Sequence, residues 1–401
     1  MKKLSLLFVC AAFALASCDK PEPEITYQPI DISTKAAGYV KQGNSFALDF
    51  LGRVDAATQD KDYVISPLSM QFLLGMILDG AKGQTATEIC NVLGYGAGET
   101  AEVNQFCLNM MTQLPALDNQ TTLKLANAVV VDNGWPLKET YKKDVAHYYD
   151  GEVSNMDFSD IAGTTDKINK WCSNHTNGLI PKIIDEVDPG IVAYLMNAIY
   201  FKSPWKEKFD KNNTAEEPFT NEAGNTSLVP MMKMTWTFPY IKTDKFQAVQ
   251  LPYGNGAFSM TAILPAGTIA ETIAELRQTE DWSLFLNNMK ESEVELWLPR
   301  FETKFHINLN DILSAMGMPG AFTGAADFSG MSASSAHLSF VQQDAVIKVD
   351  EEGSEAAAIS AAAMEKSVFG LPRFHADKPF IYIISEKSTG AILFAGRFSG
   401  K

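Results

Sequence analysis

Histidine and cysteine are the residues of this sequence best suited to bind metal or attack a carbonyl, and their spacing serves neither purpose. His147, His175, His306, His337 and His375 are scattered, with no H-E-x-x-H pair, and no two cysteines stand as C-x-x-C. No metal and no cofactor are expected. A serine nucleophile would need a G-x-S-x-G elbow, and a nucleotide would need a Gly-rich turn leading from a strand into a helix. Neither is present, and Gly254-x-Gly256 reads as a hairpin turn between two strands. Carboxylates are abundant, at 48 Asp+Glu, but no motif pairs them. The chain is therefore not expected to be an enzyme.

The segment from Val346 to Phe380 offers a different chemistry, that of its main chain. Val346-Ile347-Lys348-Val349 reads as a strand, followed by Asp350-Glu351-Glu352-Gly353-Ser354-Glu355. An Ala-rich run from Ala356 to Met364 comes next, then Glu365-Lys366-Ser367-Val368-Phe369-Gly370-Leu371-Pro372. Propensity favours a helix across the alanines. Gly353 precedes them, however, and no helical apolar stripe crosses them. At period two, one face holds Ser354, Ala356, Ala358, Ser360, Ala362 and Met364, nearly all small, and Glu355 lies on the other. A strand with one uniformly small face can slide between two existing strands beneath packed helices, where large residues would clash.

The elements that must position such a strand run helices first, then mostly strands. Ser66-Pro67 supplies a cap and a first-turn proline, and apolar residues from Leu68 to Leu78 cover nearly every face, which marks a buried helix. Thr85-x-x-Glu88 reads as a capping box ahead of Ile89, Val92 and Leu93, with Gly94 as the stop. Ala126 to Val131 reads as a strand ending at Asp132-Asn133-Gly134, and Thr165 to Cys172 as an amphipathic helix with Gly178 as its stop. Gln247–Leu251, Phe258–Leu264, Val294–Leu298, Phe380–Ile384 and Ala391–Ala395 have the composition and boundaries of strands. The class is α+β, with large sheets and a helical N-terminal half, in one domain over residues 35–401.

At the N-terminus, Lys2 and Lys3 precede an apolar stretch, Leu4 to Ala16, too short to span a bilayer. It ends in Leu15-Ala16-Ser17-Cys18, which resembles a bacterial lipobox. Residues 1–17 are expected to be a lipoprotein signal peptide, Cys18 the lipidated mature N-terminus, and residues 18–34 a tether, charged and extended at its start. The expected location is the bacterial cell envelope, at the outer membrane or cell surface; a plain secretory signal with a chance cysteine would give secretion instead. Losing the leader removes Lys2, Lys3 and no acid, taking the formal charge from −15 to −17. That balance excludes nucleic acid as a partner, and docking on anionic lipid by charge. Cys90, Cys107 and Cys172 remain, each in an apolar helical pattern, and read as small core residues rather than a disulfide framework.

Glu351-Glu352-Gly353-Ser354-Glu355-Ala356-Ala357-Ala358 resembles the hinge of the serpins, and Phe374-His375-Ala376-Asp377-Lys378-Pro379-Phe380 resembles the signature that follows their reactive loop. Ser66-Pro67-Leu68-Ser69, Gly80-Ala81-Lys82-Gly83-Gln84-Thr85 and Asn197 to Trp205 match as well, as do Asp327 to Met331 and Leu393 to Arg397, all in family order. The resemblance implies three β-sheets, a helical cap and an exposed reactive-centre loop from roughly Gly353 to Arg373. It also implies a monomer that traps serine endopeptidases as acyl-enzymes while the cut loop inserts into the main sheet. The competing expectation is a non-inhibitory serpin, a binding or chaperone-like module. Such members typically carry bulky, charged or proline residues in the hinge, which is small throughout here. Gln343 stands where the family often has histidine; with Ser66, Ser69 and Asn197 it would supply hydrogen bonds behind the opening of the sheet. Counting from Glu351 by the family's usual hinge length puts the scissile bond at Ser367–Val368, and one residue shorter puts it at Lys366–Ser367. The first suits elastase- or subtilisin-like proteases, the second trypsin-like ones, with cysteine proteases as further candidate targets.

Overall fold

Ser66 and Pro67 begin the helix around which the rest is built. The Ser66 side chain accepts from the Ser69 amide, Pro67 takes the first turn, and every residue from Pro67 to Leu78 is buried. The computed structural model describes residues 27–59, 61–279, 281–354 and 370–400. This helix, α2 (Pro67–Gly80), packs with α1 (Thr34–Thr58), α3 (Gly83–Leu93), α4 (Thr100–Gln113) and α5 (Glu139–Tyr149). The expected capping box at Thr85 is corrected: α3 starts earlier, with Lys82 at its N-cap and no side-chain cap. Thr85 is buried and accepts from the Asp327 amide at 2.9 Å, while Glu88 accepts from the Gly320 amide at 2.9 Å. Distant backbone has taken the acceptors that a local cap would have used. Gly94 does end the helix, in the left-handed region at φ 75°.

The main sheet is in two leaves. One has the order β12 (Gly353–Ser354), β4 (Ala193–Pro204), β2 (Thr122–Asp132), β3 (Gly151–Met156); the other pairs β10 (Phe301–Asn308) with β11 (Gln342–Val349). Among the described residues no ladder joins β4 to β11. Helix α6 (Ile161–His175) covers the outer face, where Ala128, Val130, Tyr194 and Met196 cluster with Ile168. Val129 and Val131 join the core on the helical side, as alternation along a strand requires.

The second sheet contains β7 (Phe246–Tyr253), β8 (Phe258–Pro265), β14 (Phe380–Glu386), β15 (Ile392–Phe398) and β1 (Tyr63–Ile65); the third contains β5 (Ala215–Thr220), β6 (Thr226–Lys242), β9 (Lys290–Pro299) and β13 (Arg373–His375). The ladder is continuous between them because β6 pairs with β9 over most of its length and with β7 only at Tyr240–Lys242. Strands β8, β14 and β15 are buried throughout, in keeping with their unbroken apolar runs. Three sheets with a helical N-terminal half is the α+β architecture expected. Cys90, Cys107 and Cys172 are free and buried, and burial pushes the Cys107 and Cys172 thiols up to about 12.

Candidate functional site: the opening of the main sheet

Strand β11 buries alternate residues, Gln343, Ala345, Ile347 and Val349. Gln343 is the polar member of that row, and α2 satisfies it. Its Oε1 accepts from the Ser66 amide at 2.9 Å and its Nε2 donates to the Ser66 carbonyl at 2.9 Å. An amide side chain can do both at once on one residue's backbone. The Ser66 hydroxyl donates to the Leu393 carbonyl at 2.7 Å. The Ser69 hydroxyl donates to Asn197 Oδ1 on β4, and Asn197 Nδ2 donates to Asn127 Oδ1 on β2 at 2.7 Å. The structure thus brings Ser66, Ser69, Asn197 and Gln343 together behind the space between β4 and β11. A cavity of about 70 Å³ lies there, lined among others by Ser69, Asn197, Gln343, Ile184, Tyr194 and Leu338.

Beyond Val349 the chain reverses at Asp350–Gly353. Gly353 has φ 150°, and a Cβ on it would collide with the Ser203 carbonyl, so glycine is required there. Gly353 and Ser354 then run antiparallel to β4, opposite Pro204 and Ser203. Ser354 is 2 % exposed, and its hydroxyl lies 2.8 Å from that of Tyr253, whose ring stacks on Trp205 at 4.3 Å. The expectation of an exposed loop from Gly353 is therefore corrected: the first two residues are already seated on the sheet. A residue without a Cβ and one with a small polar side chain make this possible. At the other end, Arg373–His375 is strand β13, parallel to β9.

The turn is clamped by the stretch from Trp205 to Thr214 and, from a separate segment, by Arg300. The Trp205 amide donates to the Glu352 carbonyl and its indole to the Asp350 carbonyl, each at 2.8 Å; the Phe209 amide donates to the Glu351 carbonyl at 3.0 Å. The Glu351 carboxylate accepts from Thr214 at 2.8 Å and faces Arg300 at 3.4 Å. Glu352 pairs with Lys208 at 2.9 Å and Lys211 at 3.1 Å while its side chain is only 6 % exposed. Burial works against the Glu352 carboxylate, but the two lysines outweigh it and hold its pKa below the usual range. Glu355, Ala356, Ala357, Ala358, Lys366, Ser367, Val368 and Cys18 lie outside the described residues. Sequence reading missed Tyr253, Lys208, Lys211, Thr214 and Arg300, which come from separate segments with no common spacing. Trp205, at the end of a matched motif, was the available signal.

The family model for Serpin (serine protease inhibitor) matches residues 41–400. The chain belongs to the serpin family. It is similar to neuroserpin of Homo sapiens, with 31% identity over 368 residues, 88% of this chain and 89% of that protein. It is also similar to serpin B6 of Macaca fascicularis, with 34% identity covering 88% of this chain and 97% of the relative. Among solved structures, the thermophilic serpin Tengpin in its native state superposes with a TM-score of 0.83 at 26% identity, covering 94% of this chain and 97% of Tengpin. Protease inhibition, rather than catalysis, is the general business of the family.

Proposed function

We propose that this serpin inhibits serine endopeptidases as a suicide substrate, through insertion of its cut reactive loop between β4 and β11. The observation that carries this reading is the seated hinge, with Ser354 buried and paired to β4 in the direction an inserted strand must take. Continuing that register puts Met364 opposite Ala193, the first residue of β4, so residues 353–364 match β4 along its whole length. In that register the face that would follow Ser354 inward is small from Ala356 to Ala362, with Met364 at its end, which suits the space beneath packed helices. An uncut loop is held at both ends, by Gly353–Ser354 on β4 and by Arg373–His375 on β9. Cutting frees one end.

In the chemical step, the protease serine oxygen attacks the carbonyl of Ser367, forming an ester while Val368 leaves with the proton as a new amino terminus. Insertion then drags the ester-linked protease and displaces its oxyanion donors, whose loss slows deacylation by roughly 100–1,000-fold per donor. Incubation with small-pocket and trypsin-like proteases should give, for at least one, a complex that survives boiling in detergent. Mass spectrometry of the released fragment reads the bond. Ser367→Arg should create trypsin trapping if the bond is Ser367–Val368, whereas Lys366→Ala should abolish it if the bond is Lys366–Ser367. Simple turnover by every protease tested would favour a binding or chaperone-like role.

We place the protein at the cell envelope through a lipid on Cys18, on the strength of the lipobox order alone. A Cys18→Ser variant should lose fatty-acid labelling and leave the membrane fraction; unchanged membrane association would refute the anchor. A single acyl chain binds only marginally, so stable attachment calls for several chains on Cys18.

A further inference from the structure

Tyr149 grips two parts of the protein that must separate if a strand is to enter beside β4. Its carbonyl accepts from Asn127 Nδ2 at 2.7 Å, and Asn127 lies opposite Asn197 across β2 and β4. The carbonyl thus belongs with the leaf β3-β2-β4. Its hydroxyl donates to Asn104 Oδ1 on α4 at 2.7 Å, and Asn104 Nδ2 donates to Asp79 on α2 at 2.7 Å. Helix α2 therefore holds the leaf at two places: near its start, where Ser69 meets Asn197, and near its end, through Asp79 and Asn104. These points are roughly 15 Å apart along the axis. Between them, Gly75 makes room for the tyrosine, since a Cβ there would lie 2.7 Å from the Tyr149 hydroxyl. A glycine inside a buried helix weakens it, and close approach is a physical reason to keep one.

We propose that Asp79, Asn104 and Tyr149 form a second clasp that holds the leaf shut, making Tyr149 a positioning residue for loop insertion. This rests on the insertion reading above. Admitting one strand sets β4 and β11 two strand spacings apart, which moves them by up to about 4.8 Å, one spacing. In the intact protein two hydrogen bonds tie β11 to the start of α2 through Gln343 and Ser66, and the displacement is assigned to the leaf. A hydrogen bond cannot survive a shift of that size. The clasp therefore exists in the intact protein and is broken once the loop is in.

Tyr149→Phe removes the hydroxyl and keeps the ring. In the full-length protein it should lower the melting temperature of the intact form by a few degrees and leave the protease-cleaved form unchanged. It should also raise, severalfold, the rate at which a synthetic peptide copying residues 354–364 incorporates into the intact protein. Asp79→Asn, which keeps an acceptor for Asn104, should behave as wild type, whereas Asp79→Leu should follow Tyr149→Phe. Equal losses in the intact and cleaved forms, or no change in either, would overturn the clasp. A wild type that gains no stability on cleavage would overturn the insertion reading and the clasp with it.

Discussion

Replacing Ala358 with proline is expected to leave protease attack intact and abolish trapping. If insertion continues the register set by Gly353 and Ser354, Ala358 would come opposite Ile199, near the middle of β4. Proline there removes a ladder donor from what becomes a central strand, a place that strand proline avoids. A buried acceptor left unpaired costs about 1–3 kcal/mol, and each 1.4 kcal/mol felt in the rate-limiting step is about tenfold. Insertion then loses its race with deacylation, and the variant is consumed as a substrate. Ser354→Arg should act alike for a different reason. Its position is already buried against Tyr253 in the intact protein, so a guanidinium there would unseat the hinge and would have to be buried unpaired, at a cost of several kcal/mol, before the strand could go in behind it. The proposed scissile residues are untouched in both variants, so acylation should proceed at a similar rate. Glu355→Ala, on the other face of the period-two pattern, should inhibit nearly normally. The measurement is the number of inhibitor molecules used per protease trapped; wild-type values for the Pro and Arg variants would contradict insertion.

The site was legible where several local signals agree on one answer. At Ser66 the cap, the proline and an apolar surface all round specify a buried helix, and that helix forms. Thr85-x-x-Glu88 carries one local signal only, and the long-range pull of the Asp327 and Gly320 amides overrides it. The hinge shows the same division. Its small period-two face is a steric, local pattern carried by the sequence itself, and Ser354 is the one member of that face among the described residues. The surroundings of the turn and of Ser354 are not legible in that way, because Tyr253 beside Ser354, Trp205 on Asp350, Lys208 on Glu352 and Arg300 on Glu351 meet only in three dimensions. Gln343 could be flagged as a departure, yet its reciprocal pairing with the Ser66 backbone depends on where β11 crosses α2. Tyr149 carries no signal at all, since its role comes from gripping two bodies at once.

Cleavage of the wild-type loop should raise the melting temperature sharply. The intact protein leaves β4 and β11 without a shared ladder among the described residues, and a strand placed between them completes hydrogen bonds on both of its edges. At about 2.1 cal/mol/K of unfolding entropy per residue, a domain of this length shifts by roughly 1.3 °C per kcal/mol, so a net gain of several kcal/mol raises Tm by roughly 5–10 °C. The cleaved Ala358→Pro variant should gain much less. The intact form would then persist through a kinetic barrier rather than by being the most stable arrangement of the chain.

Amide hydrogen exchange along β4, before and after a single confirmed cut in the loop, tests the central claim most directly. Among the described residues, only Ser203 and Pro204 face a β12 partner in the intact protein. Amides of Ala193–Lys202 that point away from β2 should therefore exchange readily before cleavage. After it, their exchange should slow by roughly a hundredfold or more, as they join the cooperative core of the sheet. Unchanged exchange along Ala193–Lys202 in fully cleaved protein would mean that the loop does not enter the sheet.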